Sequence, residues 1–280
     1  MKKVGILYHP LNDSAHSWAE EINSSLSSTG IVTWVCSAWE EKRARSLLNG
    51  TELILSIGGD GTILRAAQVV MSTGVPITGI KLGNLGFMTE LAIDDLKFPL
   101  HELLQGNGWL DQRAALEATA PPVKESESPR TFYALNDVVL ARGAIVRMVT
   151  IATSVDDETF TNYRADGLII ATATGSTGYS LAAGGPILNP QAREMLLTPI
   201  LPHLSRPQSL VLPESSTITL TLKSANQATM SIDGHINLPV STGETITVKR
   251  SAHTINFLRA YPENSFYTKL EQKLRGKRIR

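Results

Sequence analysis

Gly58-Gly59-Asp60-Gly61-Thr62 places a carboxylate inside a run of glycines. The run directly follows an apolar stretch, 53–57 (LILSI), and directly precedes an alanine-rich apolar stretch, 63–72. Glycines let backbone N–H groups approach a phosphate closely. A helix starting there adds the positive end of its dipole. No Gly-Lys-Ser/Thr follows, so this is not a Walker loop, and it is not the dinucleotide fingerprint either. Phosphate repels Asp60 unless that carboxylate has a task. It either takes a proton from an attacking hydroxyl or acts through a divalent cation. Gly58, Gly59, Gly61 and Thr62 are therefore expected to cradle phosphates. The bland alternative is a tight Asp-Gly turn, which leaves Gly58 and Gly59 without a reason.

Three further segments have polar chemistry where an apolar pattern breaks. The first is Thr174-Gly175-Ser176-Thr177-Gly178-Tyr179-Ser180, after a strand at 168–172. Its hydroxyls and glycines form a close-approach surface suited to sugar hydroxyls and phosphates, with Tyr179 able to stack on a base or ring. The second is Asn136-Asp137, inside FYALNDVVLAR, read as one strand over 132–141. Adjacent strand residues face opposite sides, so one of the two faces a given pocket unless a bulge intervenes. Asn136 has the donors and acceptor to read an amide or a base edge. The third is Ser231-Ile232-Asp233-Gly234-His235. An ordinary loop, a strand-edge turn and an Asp-Gly hairpin are the respective alternatives.

The elements that position these segments follow from periodicity. Residues 4–8, 31–36, 53–57 and 77–82 read as strands, with helices at 14–28, 39–49 and 63–72. In the first helix Ala15, Trp18, Ile22 and Leu26 recur at helical spacing, Asp13 or Ser14 is the expected cap, and Gly30 lies beyond the end. Alternating strands and helices imply right-handed crossovers and a parallel sheet. Such sheets bind ligands at the C-terminal ends of their strands, where Gly58 stands. Near residue 120 the character changes. Residues 120–130 (APPVKESESPR) read as a surface loop or linker. Beyond it, strands at 132–141, 145–155, 168–172, 218–222 and 245–249 point to a β-sandwich. Residues 267–277 read as a terminal amphipathic helix.

Composition narrows the function classes. A chain of 280 residues is long enough for about two domains. It has 26 basic and 26 acidic side chains, hence no basic excess to favour nucleic acid. The one basic cluster, 273–280, reads as a solvated helix end. A single cysteine, Cys36, cannot form an internal disulfide and sits in a buried-strand pattern, which suits a reducing compartment. The start has no signal-peptide core, and no apolar run approaches the ~18 residues of a membrane span. The expectation is a soluble cytoplasmic protein without nucleic-acid or membrane partners.

Together, these segments resemble the bacterial NAD kinase family, whose members use ATP or polyphosphate. The resemblance rests on GGDGT at 58–62, KLGNLGFMTE at 81–90, Asn136-Asp137, DGLIIATATGSTGYSLAAGGPI from Asp166, and LTPILPH at 197–203, all in the family's order. It covers about residues 4–270. It implies a Rossmann-like or phosphofructokinase-like α/β N-terminal domain, 1–115, with 255–280 packing back on it, and an all-β sandwich domain, 116–254. It implies phosphoryl transfer to the 2′-hydroxyl of the adenosine ribose of NAD, giving NADP, with Asp60 as proton acceptor. Gly61 and Arg65 would line the dinucleotide site. Asn136, Asp137, Asp166, Thr177, Gly178, Tyr179, Ser180, Leu181, Ala182 and His235 would contact NAD, with Arg147 and Arg164 near it. The NAD site would lie between domains and be completed by a neighbouring subunit, in a homodimer or homotetramer. Mg²⁺ is expected on donor phosphate oxygens, without a dedicated protein cage and with no metal-ligating side chains assigned. The chain departs from the family in three places: Asp137 stands where many members have Glu, Ala173 and Gly178 replace Pro and Ala, and Leu204-Ser205-Arg206 shifts the segment after His203. The competing classes are another GGDGT kinase, for lipid or sugar, and a non-enzymatic dinucleotide sensor.

Overall fold

The computed structural model describes residues 1–83, 86–122, 128–143, 147–203, 208–262 and 265–274. Its contacts divide into two units. One is Met1–Gln112 with the stretch from Ile255 on, and the other is Arg113–Thr254.

The first unit is α/β. Its elements are β1 (Lys3–Tyr8), α1 (Asp13–Ser28), β2 (Val32–Ser37), α2 (Glu41–Leu47), β3 (Leu53–Ile57), α3 (Asp60–Val70), β4 (Ile77–Lys81), β5 (Leu91–Ala92) and α4 (Lys97–Leu104). Four strands lie in the order β2-β1-β3-β4, all parallel. Every residue of β3 is buried, which is why LILSI shows no alternation. Ala15, Ala19, Ile22 and Leu26 of α1 pack on Val4, Ile6, Leu53 and Leu55. The cap of α1 is neither Asp13 nor Ser14. Asn12 takes that place, its side chain accepting from the Ala15 N–H, and Asp13 joins the first turn. Helix α3 starts at Asp60, three residues before its apolar periodicity begins. The loop's Asp-Gly-Thr forms the helix's first turn and carries no hydrophobic signal. Between β1 and β3 the strand order reverses, and the crevice for ligands in such a sheet opens there. His9 donates its N–H to Ile57 O at 3.1 Å, so His9 and Gly58 meet at that point.

The second unit is built of strands: β6 (Trp109–Ala120), β7 (Arg130–Ala134), β8 (Asp137–Arg142), β9 (Val149–Val155), β10 (Glu158–Ala165), β11 (Gly167–Ala171), then the short helix α5 (Tyr179–Ala182), β12 (Met195–Ile200), β13 (Leu210–Leu212), β14 (Thr217–Leu222), β15 (Ala228–Ile232), β16 (Ile236–Val240) and β17 (Thr245–Arg259). One antiparallel sheet runs β13-β12-β11-β8-β15-β16, and the other contains β10-β9-β14-β17 with β6 and β7. Inward residues of both, such as Leu140, Ile170 and Met230 from one and Ile151, Leu220 and Val248 from the other, share one core. That arrangement is a β-sandwich.

Two expectations change here. The strand expected over 132–141 is two strands in different sheets, β7 and β8, broken at Leu135-Asn136, where the Asp233 carboxylate takes the backbone N–H groups of residues 135–137. The ends of the Pro-rich stretch, Ala120 of β6 and Arg130 of β7, pair with each other, and residues 123–127 between them lie outside the described residues. Strand β17 is 15 residues long, far beyond 245–249, since Lys249, Arg250 and His253 hide its continuation. It pairs with β14 over Thr245–Lys249 in the second unit and ends in the first, where Phe257 pairs with Ile77. A final helix, α6, covers Ser265–Leu274, and the rest of the expected terminal helix lies outside the described residues. Among the described residues no helix is long and apolar enough to cross a membrane.

Candidate functional site

In the first unit the chemistry gathers where β3 meets α3. Gly58 has φ +152°, and a Cβ there would lie 2.3 Å from Thr62 Oγ1, so only glycine serves. Gly59 and Gly61 have open space where a Cβ would point. Gly59 caps α3 without a side chain, leaving the first N–H groups of the helix to a ligand. The Thr62 and Ser56 hydroxyls are buried and lack a hydrogen-bond partner among the described residues. A buried hydroxyl without a partner is costly, and phosphate oxygens supply acceptors for it.

Asp60 does not swing freely. Its Oδ2 accepts from the Phe87 N–H at 2.7 Å and its Oδ1 from the Met88 N–H at 3.0 Å. Gly86 is pressed against it, since a Cβ there would lie 2.0 Å from Asp60 Oδ1. The block at 81–90 thus orients the carboxylate. Arg65, half-buried in α3, stacks its guanidinium 4.0 Å over the Trp39 ring, whose edge meets His9.

In the second unit the break between β7 and β8 brings both members of the polar pair to one place. A Cβ on Gly178 would lie 3.4 Å from Asn136 Nδ2 and 3.9 Å from Asp137 Oδ2. Asn136 Oδ1 is buried and has no partner among the described residues, an acceptor that suits an amino donor on a ligand. The Thr172 hydroxyl donates to Leu135 O at 2.6 Å and fastens the start of the 174–180 loop to this break.

The organiser of the break is Asp233, a residue the motif reading passed over in favour of its neighbour His235. Its carboxylate accepts from the N–H groups of Leu135, Asn136 and Asp137 at 2.9, 2.7 and 3.1 Å. Asp233 and Gly234 both have positive φ, +48° and +70°, and turn the β15–β16 hairpin. Burial pushes the pKa of Asp233 up, and the three N–H donors oppose that shift only in part. Burial first and the Asp233 charge second push the Asp137 pKa up to about 7.

The other expected residues are placed as follows. Asp166 pairs through Oδ1 with Arg142 Nε at 3.1 Å. Thr177 and Gly178 are half-buried, Tyr179 and Ala182 are exposed, Ser180 is buried against Thr198 Oγ1 at 3.1 Å, and Leu181 is half-buried. His235 turns Nδ1 toward Asp233 O at 3.0 Å. Arg147, ahead of β9, and Arg164, on β10, are exposed on the opposite sheet from the Asn136 break.

Two family models match the chain, "ATP-NAD kinase N-terminal domain" over residues 10–107 and "ATP-NAD kinase C-terminal domain" over 135–260. A Dehalococcoides mccartyi protein named NAD kinase is 46% identical over 98% of this chain and 96% of its own length. One from Chloroflexus aurantiacus is 36% identical over 98% and 99%. The crystal structure of yeast NADH kinase complexed with NADH is similar over 99% of this chain and 89% of that one, with TM-score 0.84 and 26% identity. That of an Archaeoglobus fulgidus NAD kinase in complex with ATP shares the fold, with TM-score 0.77 and 23% identity over 98% and 99%.

Proposed function

Since the chain belongs to the NAD kinase family and is an enzyme that phosphorylates NAD, we propose that the phosphoryl group goes to the 2′-hydroxyl of the adenosine ribose and that Asp60 accepts the hydroxyl's proton. What carries the reading is the aim of the Asp60 carboxylate, fixed by two N–H groups at the start of α3 beside glycines with open space. The 2′-oxygen attacks the terminal phosphorus of the donor, ATP or polyphosphate. As the new P–O bond forms and the bridging P–O bond breaks, the hydroxyl proton passes to Asp60. Charge on the transferring group meets the N–H groups of Gly59 to Gly61 and the Thr62 hydroxyl.

The loop's donors suit phosphate oxygens, and its one carboxylate already accepts two N–H groups. Among the described residues no three His, Cys, Asp or Glu side chains gather as metal ligands. Mg²⁺ fits as an ion carried on donor phosphates with Asp60 nearby, where it would neutralise charge. On the second unit NAD would meet Asn136, Asp137, Asp166, Thr177 to Ala182 and His235; Arg147 and Arg164, on the other sheet of the sandwich, would reach it from a neighbouring subunit, and Gly61 and Arg65 are its expected contacts on the first unit. The free Asn136 Oδ1 suits the amino group of adenine. The active form is a homodimer or homotetramer in the cytoplasm.

A coupled assay tests the reading: purified protein with NAD, ATP and Mg²⁺, and NADP detected by an NADP-specific dehydrogenase. Wild type forms NADP, and Asp60→Asn is slower by the ~10²–10⁴-fold typical of losing a general base. Near wild-type turnover in Asp60→Asn ends the base role. NADP with polyphosphate but not ATP changes the donor and keeps the acceptor.

A further inference from the structure

The 81–90 block holds Asp60 through two N–H groups, those of Phe87 and Met88. Something must hold those groups still, because a carboxylate aimed by a loop is aimed no better than the loop is. The far end of the block is tied to the sheet: Glu90 donates its N–H to Gly79 O at 2.9 Å, and Leu91 pairs with Ile80. The middle, where Phe87 and Met88 face Asp60, bends outside the strands. There, a buried arginine reaches in.

Arg259, at the end of β17, is 5% exposed. Its Nη1 donates to Met88 O at 2.8 Å, the carbonyl of the residue whose N–H holds Asp60 Oδ1. The same Nη1 lies 3.4 Å from Glu90 Oε2, and Nε donates to Asp111 Oδ2 at 3.0 Å. Phe257 supports the guanidinium from below, 4.6 Å from its ring centre. The second oxygen of Glu90 accepts the Tyr261 N–H at 3.0 Å, which ties the chain just past the arginine to the same block. Glu90 and Asp111 are 5% and 2% exposed. Two buried carboxylates around one guanidinium are an expensive way to hold a fold together, because apolar side chains of equal volume often do as well or better. What this arrangement supplies is geometry. A planar fork with fixed donor directions defines the position of the Met88 peptide, and an ammonium cannot reproduce that.

We propose that Arg259, clamped by Asp111 and Glu90, is a positioning residue for phosphoryl transfer: it fixes the Met88 peptide so that the Phe87 and Met88 N–H groups hold Asp60 in its reactive orientation. It touches neither substrate. The inference rests on Asp60 being the proton acceptor. A displacement of the order of 1 Å at a reacting group costs up to about 10²-fold in rate. The loss belongs in kcat, since no contact with NAD or donor is removed.

The test is a cycle of Asp60→Asn, Arg259→Met and the double variant, read as kcat and as KM for NAD and for ATP, with thermal unfolding as the check on folding. Arg259→Met is expected to lower kcat ten- to hundredfold with both KM values within about twofold of wild type. Arg259→Lys restores charge without the fork and falls between. The double variant should be no slower than Asp60→Asn alone, because a positioning residue has nothing left to position. If Arg259→Met stays within about threefold of wild-type kcat, or if the two losses multiply in the double variant, the positioning role is wrong. If Asp60→Asn alone turns over like wild type, the base assignment fails and takes this inference with it. Should Arg259→Met not fold, Glu90→Gln and Asp111→Asn keep the side-chain shapes, remove one clamp charge each, and are held to the same limits.

Discussion

Near neutral pH the buried Asp137 is close to half-titrated, while an exposed aspartate is fully charged. Its folded pKa of about 7 stands above the ~3.9 of an unfolded chain. The native state therefore binds the proton more tightly, and unfolding releases it between those values. The stability this proton confers is complete below about pH 4, is lost as pH rises toward 7, and stays lost above it, by up to ~1.4 kcal/mol per pH unit. Asp137→Asn removes the titration. The variant should gain on wild type in urea midpoint at pH 8 and lose that advantage toward pH 5. An advantage equal at both pH values would mean the carboxyl does not hold its proton in the fold. At this scale the sequence was half legible. Asn136-Asp137 stood out because a polar pair interrupts an apolar run. Asp233 did not, because a hairpin already explains an Asp-Gly pair, and the three N–H groups it holds lie 96 to 98 residues away.

Elements differ in how much depends on their ends. Helix α1 starts at the exposed Asn12, whose side chain caps it by accepting the Ala15 N–H. Asn12→Ala should cost about 1 kcal/mol of stability and leave kcat unchanged. Helix α3 starts in the phosphate loop. Gly58→Ala must place a Cβ 2.3 Å from Thr62 Oγ1 at a φ of +152°, so it should cost at least the 1–3 kcal/mol of a strained backbone position and also lower kcat/KM sharply. Thermal unfolding and the coupled assay on both variants separate the two kinds of helix start. Equal effects on kcat/KM would deny the loop its role. Helix α1 and strands β1 and β3 were legible because each buries one apolar pattern. The start of α3 was not, since its first turn is written in ligand-binding residues. Most of β17 was not either. Its burial shifts from sandwich face to a charged stretch to the core of the first unit, so no single period runs through its 15 residues.

For the whole molecule, the outline of an α/β unit followed by a sandwich could be read from the switch in periodicity near residue 120. The return of the chain to the first unit came only from the family resemblance, because nothing local in 255–259 says that Leu258 joins the core of α1 and β3. The Thr78 hydroxyl donates to Leu258 O at 2.9 Å across 180 residues of sequence. A chain stopped after Thr254 lacks Phe257, Leu258 and Arg259 together. It should show a sandwich that still unfolds cooperatively, an α/β unit with lost near-UV circular dichroism, and no NADP formation. Native near-UV signal from both units would show that the missing strand end is dispensable.

Strand β17 also sets a clock for synthesis. The sandwich has its last residue at Thr254, but the α/β unit waits from Gln112 until Ile255 to Arg259 emerge, on the order of 10 s at cellular elongation rates. Throughout that interval the ribosome carries a half-closed sheet in which β5 covers only the Ile80–Lys81 end of β4 and the Ile77 end stays bare. The unit that begins first finishes last, so the capacity to transfer phosphate is the final property the nascent chain acquires. Chaperone demand should peak in that window and fall as β17 seats against Ile77.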